Sequence, residues 1–220
     1  MPGLHNNKTI IVTGGAGSLG LAVVQSFLTE GANVVATDIQ DSLLAALPDA
    51  IDEEHRSRLL PYKCNSADDS EVQKLIAATI EKFGRLDVLI NNAAINDKLE
   101  PTGDCSREMW DRNILVNLTG PFVTSQNAIR QFLKQEEADG QRGVILNVIS
   151  AAGQFGGRAG KCGLFSLTKA EACKTNILRR GIYRFQARLN RSYKKYSGVL
   201  WSQRHTMRCH NAGTDDDKHG

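Results

Sequence analysis

Short apolar runs alternate along the chain with amphipathic stretches. Thr9-Ile-Ile-Val-Thr13 is a β-branched run closed by glycines, which predicts a buried strand. From Ser18 to Glu30, Leu19, Val23, Phe27 and Leu28 recur at helical spacing, and Gly31 stops that helix. Asn33-Val-Val-Ala-Thr37 predicts a second strand and Leu59 to Cys64 a third. Asp68 to Phe83 carries Val72, Leu75, Ile76 and Ile80 as the apolar stripe of a helix, with Gly84 as its stop. Leu86 to Ile90 predicts a fourth strand, Met109 to about Leu133 one long helix, and Val144 to Ile149 a fifth strand. Cys162 to about Leu178 predicts a last helix. Strand and helix alternate through short connections, so the expected fold class is α/β. The expected architecture is a doubly wound parallel sheet covered on both faces. Ligands of such sheets sit at the carboxyl ends of the strands.

Composition narrows the class without changing it. The chain has 220 residues, 41% hydrophobic and 23% charged, which suits one globular α/β domain. No apolar run approaches the roughly 20 residues that span a bilayer. The start, MPGLHNNK, lacks an apolar h-region, so no secretory signal and no membrane partner are expected. Five cysteines, an odd number without a CxxC pair, predict reduced thiols and a cytoplasmic protein. Cys209 beside His210 is not a ligand set, and no metal is expected. The net charge of +3 is uneven. Residues 175–220 hold ten Lys/Arg against three Asp, a balance of +7, which leaves 17 against 21 in residues 1–174, a balance of −4.

The first predicted strand runs into Thr13-Gly14-Gly15-Ala16-Gly17-Ser18-Leu19-Gly20, where Gly15, Gly17 and Gly20 fit G-x-G-x-x-G between a strand and a helix. The glycines allow a tight turn and close approach of backbone to a pyrophosphate, and the helix N-terminus offers free N–H groups. The second strand ends at Asp38, 18 residues past Gly20. A carboxylate there accepts both adenosine ribose hydroxyls and repels a 2′-phosphate, which favours NAD over NADP.

These residues, with Asn91-Asn92-Ala93-Ala94 after the fourth strand and Val116-Asn117-Leu118-Thr119-Gly120, resemble the short-chain dehydrogenase/reductases over roughly residues 7–174. Ser18 stands where the family's glycine motif usually has Gly or Ala. The resemblance implies a Rossmann-type dinucleotide-binding domain over 1–174. It implies that Gly14, Ser18, Leu19 and Gly20 line the cofactor pyrophosphate, that Thr13 and Gly17 also belong to the cofactor-binding residues, and that Asp38 holds the adenosine ribose. Asn65 takes the place of the family's adenine-binding Asp, and Asn92 and Ala93 flank the cofactor and stabilise the central strand. Ser150, at the end of the fifth strand, matches the family's substrate-orienting serine. Asn117 matches the asparagine that anchors a water in the proton relay. The implied activity is hydride transfer between the nicotinamide cofactor and a small alcohol or ketone.

The family's acid/base group is a tyrosine four residues before a lysine. No Tyr-x-x-x-Lys exists here: the fourth residues after Tyr62, Tyr183, Tyr193 and Tyr196 are Ser66, Ala187, Ser197 and Leu200. The stretch Lys161 to Ala170 resembles the family segment that begins at the active-site lysine, so Lys161 matches that lysine, which also holds the cofactor ribose. Gly157 then occupies the tyrosine position. A second register takes Lys169 as the lysine and Phe165 as its partner, which has no hydroxyl either. Ser150 and Lys161 are 11 positions apart, a shorter interval than the family's, as if the segment bearing the tyrosine were deleted. General acid–base help is worth roughly 10²–10⁴-fold, so cofactor binding is expected to outlast turnover. A dinucleotide-binding pseudoenzyme is the alternative.

Past about Lys174 the resemblance ends and the basic tail begins. Gly181 to Phe185 is a candidate short strand, and no proline follows Pro121. Basic residues interleaved with Tyr183, Tyr193, Tyr196 and Trp201 make nucleic-acid binding a third reading. The charge jump at this boundary points to an altered reading frame or splice, or to a divergent, disordered tail. The sheet is expected to be truncated at its C-terminal strands, with a bare edge, low stability and loss of the surface through which family members pair as homo-oligomers.

Overall fold

The computed structural model describes residues 3–96, 102–149 and 206–208. Its centre is a sheet of five parallel strands: β1 (Thr9–Thr13), β2 (Asn33–Asp38), β3 (Leu59–Lys63), β4 (Val88–Asn91) and β5 (Val144–Asn147). They lie in the order β3-β2-β1-β4-β5, and β6 (Thr206–Arg208) extends the sheet as an antiparallel neighbour of β5. The chain leaves β1 toward β2 and β3, then returns to β4 on the other side of β1. That reversal is a topological switch point, where a crevice opens above the carboxyl ends of β1 and β4.

The β1 sequence explains why both faces must be covered. All five of its residues are buried, and its side chains alternate between faces. Ile10 and Val12 pack with Val24, Phe27 and Leu28 of α1 (Ser18–Thr29) on one face. On the other, Ile11 packs with Leu75 and Ile76 of α3 (Asp69–Phe83) and with Ala128 and Phe132 of α5 (Gly120–Phe132). Each such fully buried aliphatic or Phe side chain contributes about 1.5–3 kcal/mol. The predicted helix start at Asp68 is the N-cap of α3: its carboxylate accepts the Glu71 N–H at 2.9 Å. Gly84 ends that helix in the left-handed region at φ +79°.

Three departures from the sequence reading have physical causes. Between β2 and β3 lie α2 (Asp41–Ala46) and short 3₁₀ turns at Pro48–Ala50 and Glu53–Arg58; elements this short carry too few residues for a periodic signal. The long helix expected from Met109 is α4 (Arg107–Ile114) and α5 joined by a π-helical turn, Leu115–Thr119. There the Gly120 N–H bonds Leu115 O, five residues back. Pro121 has no N–H to return to Asn117 O, so the regular α bond cannot form at that point. Third, the edge expected to be bare beside β5 is paired along Val144 to Leu146 by Thr206–Arg208. An open strand edge accepts any extended segment through its free N–H and C=O groups, whatever that segment's side chains. The expected helix at Cys162, the candidate strand at Gly181–Phe185 and the rest of the basic tail lie outside the described residues.

Candidate functional site

The glycine turn is built by backbone constraints inside the protein. Gly14 has φ +61°, a conformation L side chains rarely adopt, and a Cβ there would sit 2.9 Å from Ala93 Cα. Gly15 donates its N–H to Thr37 O at 2.9 Å, which locks the turn onto the end of β2. A Cβ on Gly20 would collide with the Gly14 carbonyl oxygen. These three glycines are therefore required by the fold itself. Gly17 differs: its backbone is ordinary at φ −75°, ψ 167°, and a Cβ there would meet only Gly14 O, at 3.5 Å. Nothing among the described residues asks for glycine at that position.

Gly17 is also the N-cap of α1. That helix begins with no side-chain cap and no acidic residue in its first turn, whereas α3 and α4 are capped by Asp68 and Ser106. Ser18 is exposed and Leu19 half-buried at the mouth of the turn. Open N–H groups, a positive helix end and a side-chain-free approach fit a diphosphate. On this test the residues present suit the phosphates of a dinucleotide.

Beside this cradle, β2 ends at Asp38, which is 9% exposed. Its Oδ1 accepts the Gln40 N–H at 3.1 Å, which aims the carboxylate at the strand end. Asn65 follows β3. Its N–H donates to Glu71 Oε2 at 2.7 Å and its Oδ1 accepts the Ala67 N–H at 3.1 Å. The Asn65 oxygen thus already takes one bond, while among the described residues Nδ2 donates to none. Burial, helped by the charge of Glu71, pushes the neighbouring Cys64 thiol up to about 12, so it stays protonated and inert.

β4 is stitched to β1 at the switch point. Asn92 Nδ2 donates to Thr13 O at 2.9 Å and Gly14 O at 3.1 Å. The Thr13 hydroxyl also accepts the N–H groups of Asn92 and Ala93, both at 3.0 Å. Asn117, in the π-helical turn, holds the next segment: its Oδ1 accepts the Ile95 N–H and its Nδ2 donates to Ile95 O, each at 2.9 Å. The second Nδ2 hydrogen goes to Asn113 Oδ1 at 3.1 Å, so both amide hydrogens of Asn117 are spent within the protein.

Thr13, Gly14, Gly17, Ser18, Leu19, Gly20, Asp38, Asn65, Asn92, Ala93 and Asn117 all fall along the carboxyl edge of the sheet. Ser150 and Lys161 lie outside the described residues. Sequence reasoning missed Asn91. This buried residue donates to Asn147 Oδ1 at 2.9 Å and Ser125 Oγ at 3.0 Å and accepts the Thr124 hydroxyl at 2.7 Å. It also missed Asn113, which the i, i+4 spacing with Asn117 could have flagged as a polar stripe on one helix face.

Comparison with known proteins bears on this geometry. The sequence model of the short chain dehydrogenases matches residues 8–175. The chain belongs to that family. Its relatives include a short chain dehydrogenase/reductase of Macrophomina phaseolina, 41% identical over 157 residues, which span 71% of this chain and 88% of the relative. Another, from Gibberella zeae, is 40% identical over 176 residues, 76% of this chain and 63% of its own length. Among solved structures, a short chain dehydrogenase from Mycobacterium smegmatis superposes with TM-score 0.70 at 31% identity, covering 77% of this chain and 68% of that one. An NAD⁺-bound xylitol dehydrogenase gives TM-score 0.68 at 25% identity, covering 76% and 62%. The family consists of oxidoreductases that bind NAD(P) and act on small molecules. No helix among the described residues is long and apolar enough to cross a membrane.

Proposed function

We propose that this chain binds NAD(H) in preference to NADP(H) and that its turnover of an alcohol or carbonyl substrate is impaired. One observation carries the binding half: an uncapped α1 N-terminus, open at Gly17, stands beside the Asp38 carboxylate at the end of the adjacent strand. The helix end favours phosphate. The Asp38 carboxylate accepts ribose hydroxyls and opposes a 2′-phosphate charge. Asn65 offers its amide Nδ2 to adenine, and Asn92 and Ala93 hold the strand end against the cofactor.

Bound NADH supplies a hydride. Ser150 would orient the substrate oxygen, and Lys161 would hold the nicotinamide ribose. No tyrosine precedes a lysine by four residues, so the oxygen that gains charge has no tuned proton donor. A serine hydroxyl lacks a pKa near working pH and needs a base of its own. A dinucleotide-binding protein without turnover is the second reading, favoured by that same absence.

Fluorescence titration with NADH and NADPH tests binding, and a ketone panel with NADH tests turnover. Saturation by NADH with rates at least about 10²-fold below those of an intact relative is expected. No saturation by either nucleotide removes both readings. Full-rate turnover removes the claim of impairment.

A further inference from the structure

Asn113 is fully buried, at 0% exposure, and is the only buried residue of α4. A buried amide is costly unless its donors and acceptor are matched. Its Nδ2 donates to Met109 O at 3.0 Å and touches Met109 Sδ at 3.3 Å, while its Oδ1 accepts from Asn117 Nδ2 at 3.1 Å. Met109, Asn113, Asn117 and Ile95 thus form one chain of hydrogen bonds from α4 to the segment that follows β4.

We propose that Asn113 is a positioning residue for the nicotinamide half of the site, acting through Asn117 on the backbone of Ile95. The inference rests on the dinucleotide reading above. With adenosine at Asp38 on β2 and the diphosphate at the turn after β1, the second half of the ligand extends toward the carboxyl end of β4, and Ile95 lies in the segment that leaves that strand. Ile95 alone fills one hydrogen and one oxygen position of the Asn117 amide. Asn113 fills the other hydrogen, so the amide gains nothing by turning away from Ile95. Remove the Asn113 oxygen, and a buried N–H is left without a partner while the Asn117 side chain acquires a reason to rotate.

The test compares NADH with ADP-ribose, which lacks nicotinamide, by titration of the full chain. Asn113→Leu should weaken NADH about tenfold and ADP-ribose by less than about twofold, as expected for one buried hydrogen bond. Asn113→Ala removes the same oxygen without added bulk and gives the same readout if the leucine variant does not accumulate. Asn113→Asp keeps an acceptor for Asn117 and should hold the NADH to ADP-ribose ratio near wild type while melting earlier. Asn127→Leu, at a buried amide that joins α5 to Asp69 of α3, should lower the melting temperature with that ratio unchanged. Equal weakening of both ligands in the leucine or alanine variant, or loss of the ratio in the aspartate variant or at Asn127, overturns the assignment. Failure of the wild type to bind either ligand sinks the dinucleotide reading, and the role of Asn113 with it.

Discussion

Asn92 donates two hydrogen bonds to Thr13: its side-chain amide to Thr13 O at 2.9 Å and its backbone N–H to the Thr13 hydroxyl at 3.0 Å. The pair fastens the glycine turn to the end of β4 across the switch point. Thr13 is 2% exposed, so Thr13→Val would strip the acceptor from two backbone N–H groups, those of Asn92 and Ala93. We expect a loss of about 1–3 kcal/mol, read as a lower urea midpoint at unchanged m-value. NADH affinity should fall as well. An unaltered midpoint would show that water replaces the hydroxyl and that the tie contributes little.

Two glycines only three residues apart should respond in opposite ways. Gly20→Ala drives a Cβ into the Gly14 carbonyl oxygen and within 2.8 Å of Gly15 Cα. Backbone cannot swing aside as a side chain does, and overpacking of this kind costs about 1–3 kcal/mol. Gly17→Ala meets nothing closer than 3.5 Å among the described residues, so stability should change by less than about 1 kcal/mol. Its methyl stands in the approach to the α1 N-terminus, so NADH affinity should fall about tenfold or more. Thermal melts and NADH titrations of both variants separate the two effects. A Gly17→Ala protein that binds NADH like wild type would mean the diphosphate does not sit there.

How far the sequence speaks depends on whether a feature is local. β1 has the predicted bounds, Thr9–Thr13, because a β-branched run ending in glycine has few alternatives. Asp68 and Gly84 bracket α3 because capping chemistry is written within one turn. The π-helical turn was not legible as such: Leu115 to Thr119 has helical propensity, and the Pro121 signal reads equally well as an ordinary helix start. The partnerships of Asn91 with Asn147 and of Asn92 with Thr13 require the parallel register of distant strands, which no window on the sequence contains. β6 was invisible for the same reason, since three residues without a hydrophobic pattern acquire a strand only by pairing with β5. The glycine turn and the position of Asp38 at the end of β2 were legible because both are residue types at fixed offsets from one strand.

His5 makes stability depend on pH. Its ring packs edge-on against Phe27, centroids 5.0 Å apart, and burial, with the nearby Lys8 charge, holds its pKa below the ordinary 6.5. The fold therefore prefers neutral His5. Its contribution is fully present above about pH 6.5 and is lost as pH falls through the lower folded-state value. Denaturant midpoints at about pH 7.5 and pH 5 should differ more in wild type than in His5→Gln. Equal differences in the two proteins would exclude His5 as the titrating group.

On the proposed reading, Asp38 selects between the two dinucleotides by charge and by reach. Its carboxylate is 9% exposed at the end of β2, and the Gln40 N–H bonds its Oδ1 there. Beyond it Ile39 is 59% exposed and offers no cation. NADPH must then bring a 2′-phosphate against a fixed negative charge with no counter-ion from this segment. Asp38→Ala removes the repulsion and the ribose acceptor together. NADH should bind about tenfold more weakly and NADPH more tightly than in wild type. Adding Ile39→Arg supplies a guanidinium for the phosphate and should carry the double variant to a preference for NADPH. The repulsive part weakens with ionic strength, so the wild-type discrimination should shrink in high salt while that of Asp38→Ala stays nearly flat. If wild type binds NADPH as well as NADH at low salt, Asp38 is not at the ribose, and the carboxyl end of β2 is not where adenosine rests.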